Sequence, residues 1–282
     1  MQSDHAASRN DPGLAVTGSA PETATDGPNI ARVYDYLLGG SHNFAADREF
    51  AEEYLATWPD ARETMRVNRA FLGRAVRYLA GQAGIRQFLD VGSGIPTMGN
   101  VHHIAQQAAA ESRVLYADSD EVAVLHSRAI LAGNDRATAI QADLRRPHEI
   151  LEHPELRDLL DLSQPTALLL VAVLHFIPDS DAPAERVAEL RSALAPGSYV
   201  VITHGTDDGQ LTKVAAAHEL YARNTAPFQL RGHSQILRFF DGLDLIEPGL
   251  VRIPRWHPDP GEDVQHPEGI AGYAGIGRKA GP

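Results

Sequence analysis

From Gly84 onward the chain alternates short apolar runs with segments of helical period, and that alternation admits few folds. The runs at 87–91, 113–117, 138–141, 167–173 and 199–203 are rich in Val, Leu, Ile and Ala and read as strands buried on both faces. Helices fill the gaps at 99–110, 120–132, 147–160 and 183–194. Strands separated by helices pair in parallel, because each crossover returns the chain to the same end of the sheet. The expected fold is α/β: a doubly wound, mostly parallel sheet with helices on both faces. Further helical segments at 209–224 and 233–241 precede two late strands, near 243–253 and 273–277. Pro254, Pro258, Pro260 and Pro267 make the connection between those strands irregular, as suits a hairpin at the sheet edge.

Ahead of the sheet the pattern is purely helical. Ile30, Val33, Tyr34, Leu37 and Leu38 recur at helical spacing before Gly39-Gly40 stops the first helix. Phe50, Tyr54 and Leu55 mark a second helix that ends before Pro59, and Val67, Phe71, Leu72, Val76 and Leu79 a third. The reading is an N-terminal helical cap over 28–82 followed by the sheet domain over 83–282. Residues 1–27 hold almost no large apolar side chains, cannot offset their ordering entropy, and read as a disordered tail.

With 282 residues the chain can bury one full core and a cap without needing a second independent domain. Its formal net charge is −12 and its lysines are confined to Lys213 and Lys279, which disfavours a nucleic-acid partner. It has no cysteine, which excludes disulfides, thiolate metal sites and a cysteine nucleophile. No run approaches the ~20 apolar residues of a membrane span, and no basic start followed by an apolar block marks a leader, so a cytoplasmic location is expected.

The stretch Phe88-Leu89-Asp90-Val91-Gly92-Ser93-Gly94 places an acidic residue and two glycines between a strand and a helix. This is the usual nucleotide-binding corner of an α/β sheet. Thr97 stands where a dinucleotide fingerprint would carry its third glycine, which argues against NAD and toward S-adenosylmethionine (SAM), a molecule with no pyrophosphate to seat on the helix. A nicotinamide-dependent oxidoreductase, the rival enzyme class, would also want a Tyr-Lys or similar catalytic pair. Asp90 reads as a carboxylate for the charged amino-acid end of the cofactor, or else as a turn residue. Asp118 closes the next strand at the place suited to a ribose diol, or else caps the following helix, and the role of Ser119 stays open between the same two readings. Asp143-Leu144, after the third strand, would put an acceptor near the adenine amino group and an apolar side chain near its ring.

The order Asp90-x-Gly92-x-Gly94, Asp118, Asp143-Leu144 resembles the class I SAM-dependent methyltransferases. More narrowly, three stretches resemble the S-adenosyl methyltransferase family once listed as a domain of unknown function. They are Ala31-Arg32-Val33-Tyr34-Asp35-Tyr36-Leu37-Leu38-Gly39-Gly40 with Asn43-Phe44-Ala45-Ala46-Asp47-Arg48, then Asn68-Arg69-Ala70-Phe71-Leu72, then Val171-Ala172-Val173-Leu174-His175-Phe176. The resemblance spans nearly everything from Pro28 to Trp256. It implies a Rossmann-like seven-stranded sheet with a helical cap and SAM as cofactor, and it implies no particular substrate. The family pattern carries a Lys-Asp pair after the double glycine; this chain has Ser41-His42 there, and no role is carried over to them.

Within these stretches Tyr36, Gly39, Gly40 and Asn43 form a candidate lid segment over the cofactor, with helix termination as the plainer reading of the glycines. Arg69 is a candidate partner for the methionine carboxylate, and Val173 joins the cofactor-binding set. His175, at the carboxyl end of a central strand, and His204, after the next one, are candidate general bases; each could equally hydrogen-bond loop backbone. His102-His103 shows no ligand spacing with an accompanying carboxylate, so no metal is expected. The functional expectation is methyl transfer from SAM to an oxygen or nitrogen of a small-molecule acceptor. A non-catalytic SAM-binding partner protein and the nicotinamide enzyme are the alternatives.

Overall fold

The computed structural model describes residues 27–96, 99–209, 211–262 and 267–281. The tail expected over 1–27 lies, apart from Gly27, outside the described residues. Three helices come first, α1 (Ile30–Leu37), α2 (Ala45–Thr57) and α3 (Ala61–Gly81). Then strands and helices alternate: β1 (Gln87–Val91), α4 (Val101–Ala108), β2 (Arg113–Asp118), α5 (Glu121–Ile130), β3 (Ala137–Gln141), α6 (Pro147–Leu151), α7 (Pro154–Leu159), β4 (Ala167–Val171), α8 (Pro183–Ala193) and β5 (Tyr199–Gly205). The remainder holds α9 (Leu211–Asn224), α10 (His233–Leu237), β6 (Asp244–Leu245), β7 (Val251–Arg252) and β8 (Gly272–Arg278).

The strand order is β3-β2-β1-β4-β5-β8-β6, with β7 also paired to β8. β1 to β5 run parallel, and β8 enters antiparallel between β5 and the edge. The single late edge strand expected over 243–253 is broken into β6 and β7, which turns seven strands into eight. Ile246 still donates its N–H to Ile276 at 2.9 Å, but Pro248 has no N–H to offer the ladder, and pairing resumes at Val251. The helix expected over 147–160 is likewise two helices. Pro154 cannot continue the first one and instead opens the second at its first turn.

The apolar face of α3 carries Phe71, Leu72, Ala75, Val76 and Leu79, all buried against Phe88 of β1, Val114 of β2 and the fully buried Trp256. Trp256 stands edge-on to Phe71 at 5.3 Å, and its carbonyl accepts from the buried Arg74 Nε at 3.0 Å, so α3 is tied to the late loop as well as to the sheet. On the opposite face, Leu89, Leu115, Ile140, Leu168 and Val200 pack on α6, α7, α8 and α10. A third cluster joins Val33 and Leu37 of α1, Phe50 and Tyr54 of α2 and Tyr221 of α9. No helix among the described residues is long and apolar enough to cross a membrane.

Between α1 and α2 the buried Asp47 carboxylate accepts from Arg32 Nε at 2.7 Å, Phe44 N at 2.8 Å and Asn29 N at 2.9 Å. This knot gives a role to an Arg and an Asp fifteen residues apart in the amphipathic stretch: together they tie α1 to the start of α2.

Candidate active site

The chain order reverses at β1, which has β2 on one side and β4 on the other, and a crevice opens there at the carboxyl ends of the strands. A cavity of about 280 Å³ occupies it, walled by α1 and α3 on one side and by α9 and the segment 226–228 on the other.

Its floor is the glycine turn. Gly92 has a left-handed φ of +71°, and any Cβ there would overlap the isopropyl group of Val173. Val173 reaches that position because β4 stops at Val171. Ala172 adopts φ +57° and donates its N–H to Thr203 Oγ1 at 2.9 Å, so strand pairing ends there rather than at the expected residue 173. Gly94, at φ +61°, donates its N–H to Asp118 Oδ2 at 2.7 Å, and Asp120 N donates to Asp118 Oδ1 at 2.9 Å. Asp118 thus fastens the glycine turn to the end of β2 while each of its oxygens keeps a second lone pair. Burial pushes its carboxyl pKa up, against the lowering effect of those N–H donors.

Asp90 lies beneath the turn, and burial raises its pKa from the ordinary 3.8 to about 7; the Arg69 charge opposes the rise and Asp118 adds to it. Arg69 projects from α3 with its guanidinium 5.7 Å from the centre of the Tyr34 ring. Its neighbour Asn68 donates to Tyr34 Oη at 2.9 Å. At the far end of the crevice Leu144 is buried in the wall, and Asp143 is clamped by Arg145 through bonds of 2.6 to 3.0 Å. Burial alone would raise the Asp143 pKa, but the Arg145 hydrogen bonds and charge outweigh it and hold the carboxyl below its usual value. Ser119 lines the same end.

The two histidines differ sharply. His204 bonds to Gly205 O through Nδ1 at 2.7 Å and to Arg231 Nη1 through Nε2 at 2.9 Å. A guanidinium only donates and a carbonyl only accepts, so both ring nitrogens are committed and the proton is on Nδ1. Burial, with the Arg231 charge, lowers its pKa to about 3, the Gly205 bond opposing. The structure therefore corrects the reading of His204 as a base: its one lone pair already faces Arg231. His175 takes the Gly205 N–H on Nδ1 at 3.4 Å, which places its proton on Nε2, and Nε2 has no hydrogen-bond partner among the described residues. Burial, then His204, His218 and Arg231, hold its pKa well below 6.5, so the imidazole is neutral and offers an N–H to the cavity wall it forms.

Tyr36, Gly39, Gly40 and Asn43 are not part of that wall. Tyr36 Oη donates to Glu52 at 2.6 Å on the outer surface. Gly40 leaves room for the Asp35 carboxyl, which a Cβ would overlap, and Asp35 Oδ2 accepts from His42 N at 2.8 Å and Asn43 Nδ2 at 2.9 Å. The double glycine closes α1 by wrapping the chain around an aspartate. His102, whose N and Nδ1 meet Tyr116 Oη at 2.9 and 2.7 Å, is a core residue whose pKa burial lowers to about 4.

Buried polar atoms normally find partners, because each unmade bond costs about 1–3 kcal/mol. Here Arg69 Nε, Asn68 Oδ1 and Asp120 Oδ2 are buried without partners in one part of the cavity wall, and Trp58 Nε1, Thr64 Oγ1 and His218 Nδ1 are likewise unpartnered elsewhere in it. Their donor and acceptor characters fit SAM. Arg69 suits its carboxylate, Asp90 its ammonium, and Asp118 with Asp120 its ribose hydroxyls. In the sequence Asp120 reads only as the start of a helix, which is what its Oδ1 does by accepting Val122 N at 3.0 Å; the second oxygen carries no separate signal. Trp58, Thr64, His218 and Tyr221 carry no such signal in the sequence, because helical spacing marks a packed face and says nothing of a void beside it.

The model of a family described as S-adenosyl methyltransferase matches residues 17–280. A DUF574 family protein from Streptomyces avermitilis MA-4680 is 42% identical, with 90% of this chain and 98% of that one covered at a TM-score of 0.87. A candidate methyltransferase from Thermobifida fusca YX is 41% identical, with 90% and 96% covered at a TM-score of 0.86. At 12% identity, the N-methyltransferase NodS of Bradyrhizobium japonicum WM9 in complex with S-adenosylhomocysteine shares the fold at a TM-score of 0.50, covering 88% of this chain and 98% of that one. The comparison with curated proteins finds no match. With the glycine turn, the acidic strand ends and the family match in agreement, the chain belongs to the S-adenosyl methyltransferase family and is a SAM-dependent methyltransferase.

Proposed function

We propose that the protein methylates an oxygen or nitrogen of a small-molecule acceptor held in the same cavity as SAM. The observation that carries this reading is the continuity of one cavity from the charged glycine turn to His175 and the aromatic residues of α2, α9 and their flanks. When bound, SAM would supply a methyl group on a sulfonium sulfur that departs as a neutral thioether while the acceptor's O–H or N–H proton passes to solvent, so the protein's work is to orient and desolvate the two reactants. Asp90 and Arg69 hold the amino-acid end. Asp118 and Asp120 hold the ribose, and Asp143, Leu144 and Ser119 face the base. His175, neutral and with its N–H on Nε2, orients an acceptor oxygen or nitrogen by donating to it. Residues 28–82 act as a cap that contributes Ala31, Tyr34, Asn68 and Arg69 to the wall, while Tyr36, Gly39, Gly40 and Asn43 shape the loop behind it.

Calorimetric titration tests the cofactor half: SAM and S-adenosylhomocysteine should bind and NAD should give no heat. Tight NAD binding without a SAM signal would sink the assignment.

The raised Asp90 pKa adds a pH dependence with a definite sign. In the ligand-free fold this carboxyl keeps its proton up to about pH 7, whereas in the unfolded chain it ionises near 3.8. Stability of the ligand-free protein should therefore fall as pH rises between these values. A cationic ligand beside Asp90 requires the carboxylate, so SAM affinity should weaken as pH drops below about 7, approaching tenfold per unit, with proton release upon binding. Titrations at pH 6 in buffers of different ionisation enthalpy count that proton, and Asp90→Asn should abolish the release.

A further inference from the structure

The two ends of the cavity differ in charge. The charged residues in its wall, Arg69, Asp90, Asp118, Asp120, Asp143 and Arg145, gather around the glycine turn and the ends of β2 and β3. The end formed by α2 and its C-terminus, α9, the segment after α9 and the turn after β4 carries rings instead: Tyr54, Trp58, Phe176, His218, Tyr221 and Phe228. They hold one another in place. His218 stacks on Phe228 at 4.1 Å with 12° between the planes, Trp58 meets His218 edge-on at 5.7 Å, and Tyr221 meets Tyr54 edge-on at 5.3 Å. Burial lowers the His218 pKa to about 4, and His175 is neutral for the same reason, so this end carries no formal charge at neutral pH.

Three residues of this wall, Trp58, Thr64 and His218, each keep a buried polar atom without a partner: Trp58 Nε1, Thr64 Oγ1 and His218 Nδ1. The indole N–H can only donate, so whatever completes it must bring an acceptor atom. An anionic ligand would supply one, but it would leave water for a site with no countercharge. A cationic ligand could rest on the ring faces, yet it would leave the indole N–H unmet. Flat, uncharged rings bearing an oxygen or a ring nitrogen satisfy both demands.

We propose that this end of the cavity receives the methyl acceptor as a planar, uncharged aromatic molecule, clasped by these rings, with an oxygen or ring nitrogen of the acceptor taking the Trp58 indole N–H. Thr64 and His218 supply two further polar contacts at its rim, which favours an acceptor with more than one polar edge atom. The inference rests on the reading of the cavity given under the proposed function and specifies its substrate.

Three probes of matched size test it by calorimetry at pH 7.5 with protein saturated in S-adenosylhomocysteine: 2-naphthol, which is neutral, 2-naphthoate, an anion, and 2-naphthylmethylammonium, a cation. The neutral probe should bind at least about tenfold more tightly than either ion, the scale of one unmatched buried group. Trp58→Phe keeps a ring and removes the N–H, and should weaken 2-naphthol by about five- to tenfold. Absence of 2-naphthol binding, an ion binding as tightly, or a folded Trp58→Phe protein with unchanged 2-naphthol affinity overturns the proposal. The charge comparison needs no variant and decides alone if Trp58→Phe does not fold. S-adenosylhomocysteine affinity is read in the same samples. Its failure would count against the cofactor reading, while 2-naphthol titrated without it would still judge the aromatic end.

Discussion

Arg231→Ala should lower the stability of the protein by about 3 kcal/mol or more, seen in thermal unfolding as a fall in Tm of roughly 5–10 °C. The side chain is buried, and its guanidinium donates to Leu174 O at 3.0 Å, Ile177 O at 2.9 Å and His204 Nε2 at 2.9 Å, while lying 5.6 Å from the centre of the Phe239 ring. It also pairs with Asp179 at 2.6 Å, but that carboxylate is 62% exposed and would simply rehydrate, so the ion pair contributes little of the effect. The cost comes from the three interior acceptors left without a donor. Arg231→Lys should recover a small part, because a single ammonium cannot span all three as the planar fork does. The damage should extend to the cavity wall: the segment carrying Phe228 and Gln229 is pinned between His175 O, which accepts Gln229 N at 2.7 Å, and the Arg231 network. An unchanged Tm would mean that water replaces the guanidinium without penalty.

Asp118→Ala should weaken SAM by at least about tenfold, and by about a hundredfold or more if both ribose hydroxyls are lost, since bonds to a charged group contribute about 1.5–3 kcal/mol each. The loss has a second source. Removing the carboxylate also strips Gly94 N and Asp120 N of their acceptor, freeing the glycine turn from the end of β2. Asp118→Asn keeps one acceptor oxygen and should fall between the two. Calorimetry with SAM on folded variants measures the series, and equal affinities across it would confine Asp118 to holding the turn.

The parallel strands were legible because each is a short, continuous apolar run and nothing else in the chain competes for that pattern. β1 spans Gln87–Val91 as expected, and the boundaries of β2, β3 and β8 move by a residue. Errors arose where tertiary contacts decide. β4 stops early because Thr203 captures Ala172 N, and the late edge strand breaks at a proline whose pairing partner could not be known in advance. The glycine turn with its acidic strand ends was readable from order along the chain, since they follow the carboxyl ends of three neighbouring parallel strands, β1, β2 and β3. The double-glycine stretch misled for the opposite reason: glycine is demanded equally by a ligand and by a neighbouring side chain, here Asp35. The commitment of His204 to Arg231 spans residues that no spacing rule connects.

Placement of β8 between β5 and β6 has a consequence for how the protein is made. β5 bonds to β8 along its whole length, from Tyr199 with Arg278 to Gly205 with Gly272, although the ribosome delivers them some seventy residues apart. Until β8 emerges, β5 is an exposed edge with its backbone groups open, and β6 and β7 have nothing to pair with. Ala271 and Gly272 also close the cavity wall, so a nascent chain can assemble β1 to β5 in sequence and still lack a finished active site. Such long-range closure slows folding and leaves an aggregation-prone edge for that interval. Catalytic competence therefore waits for β8 to leave the ribosome, whatever the state of β1 to β5.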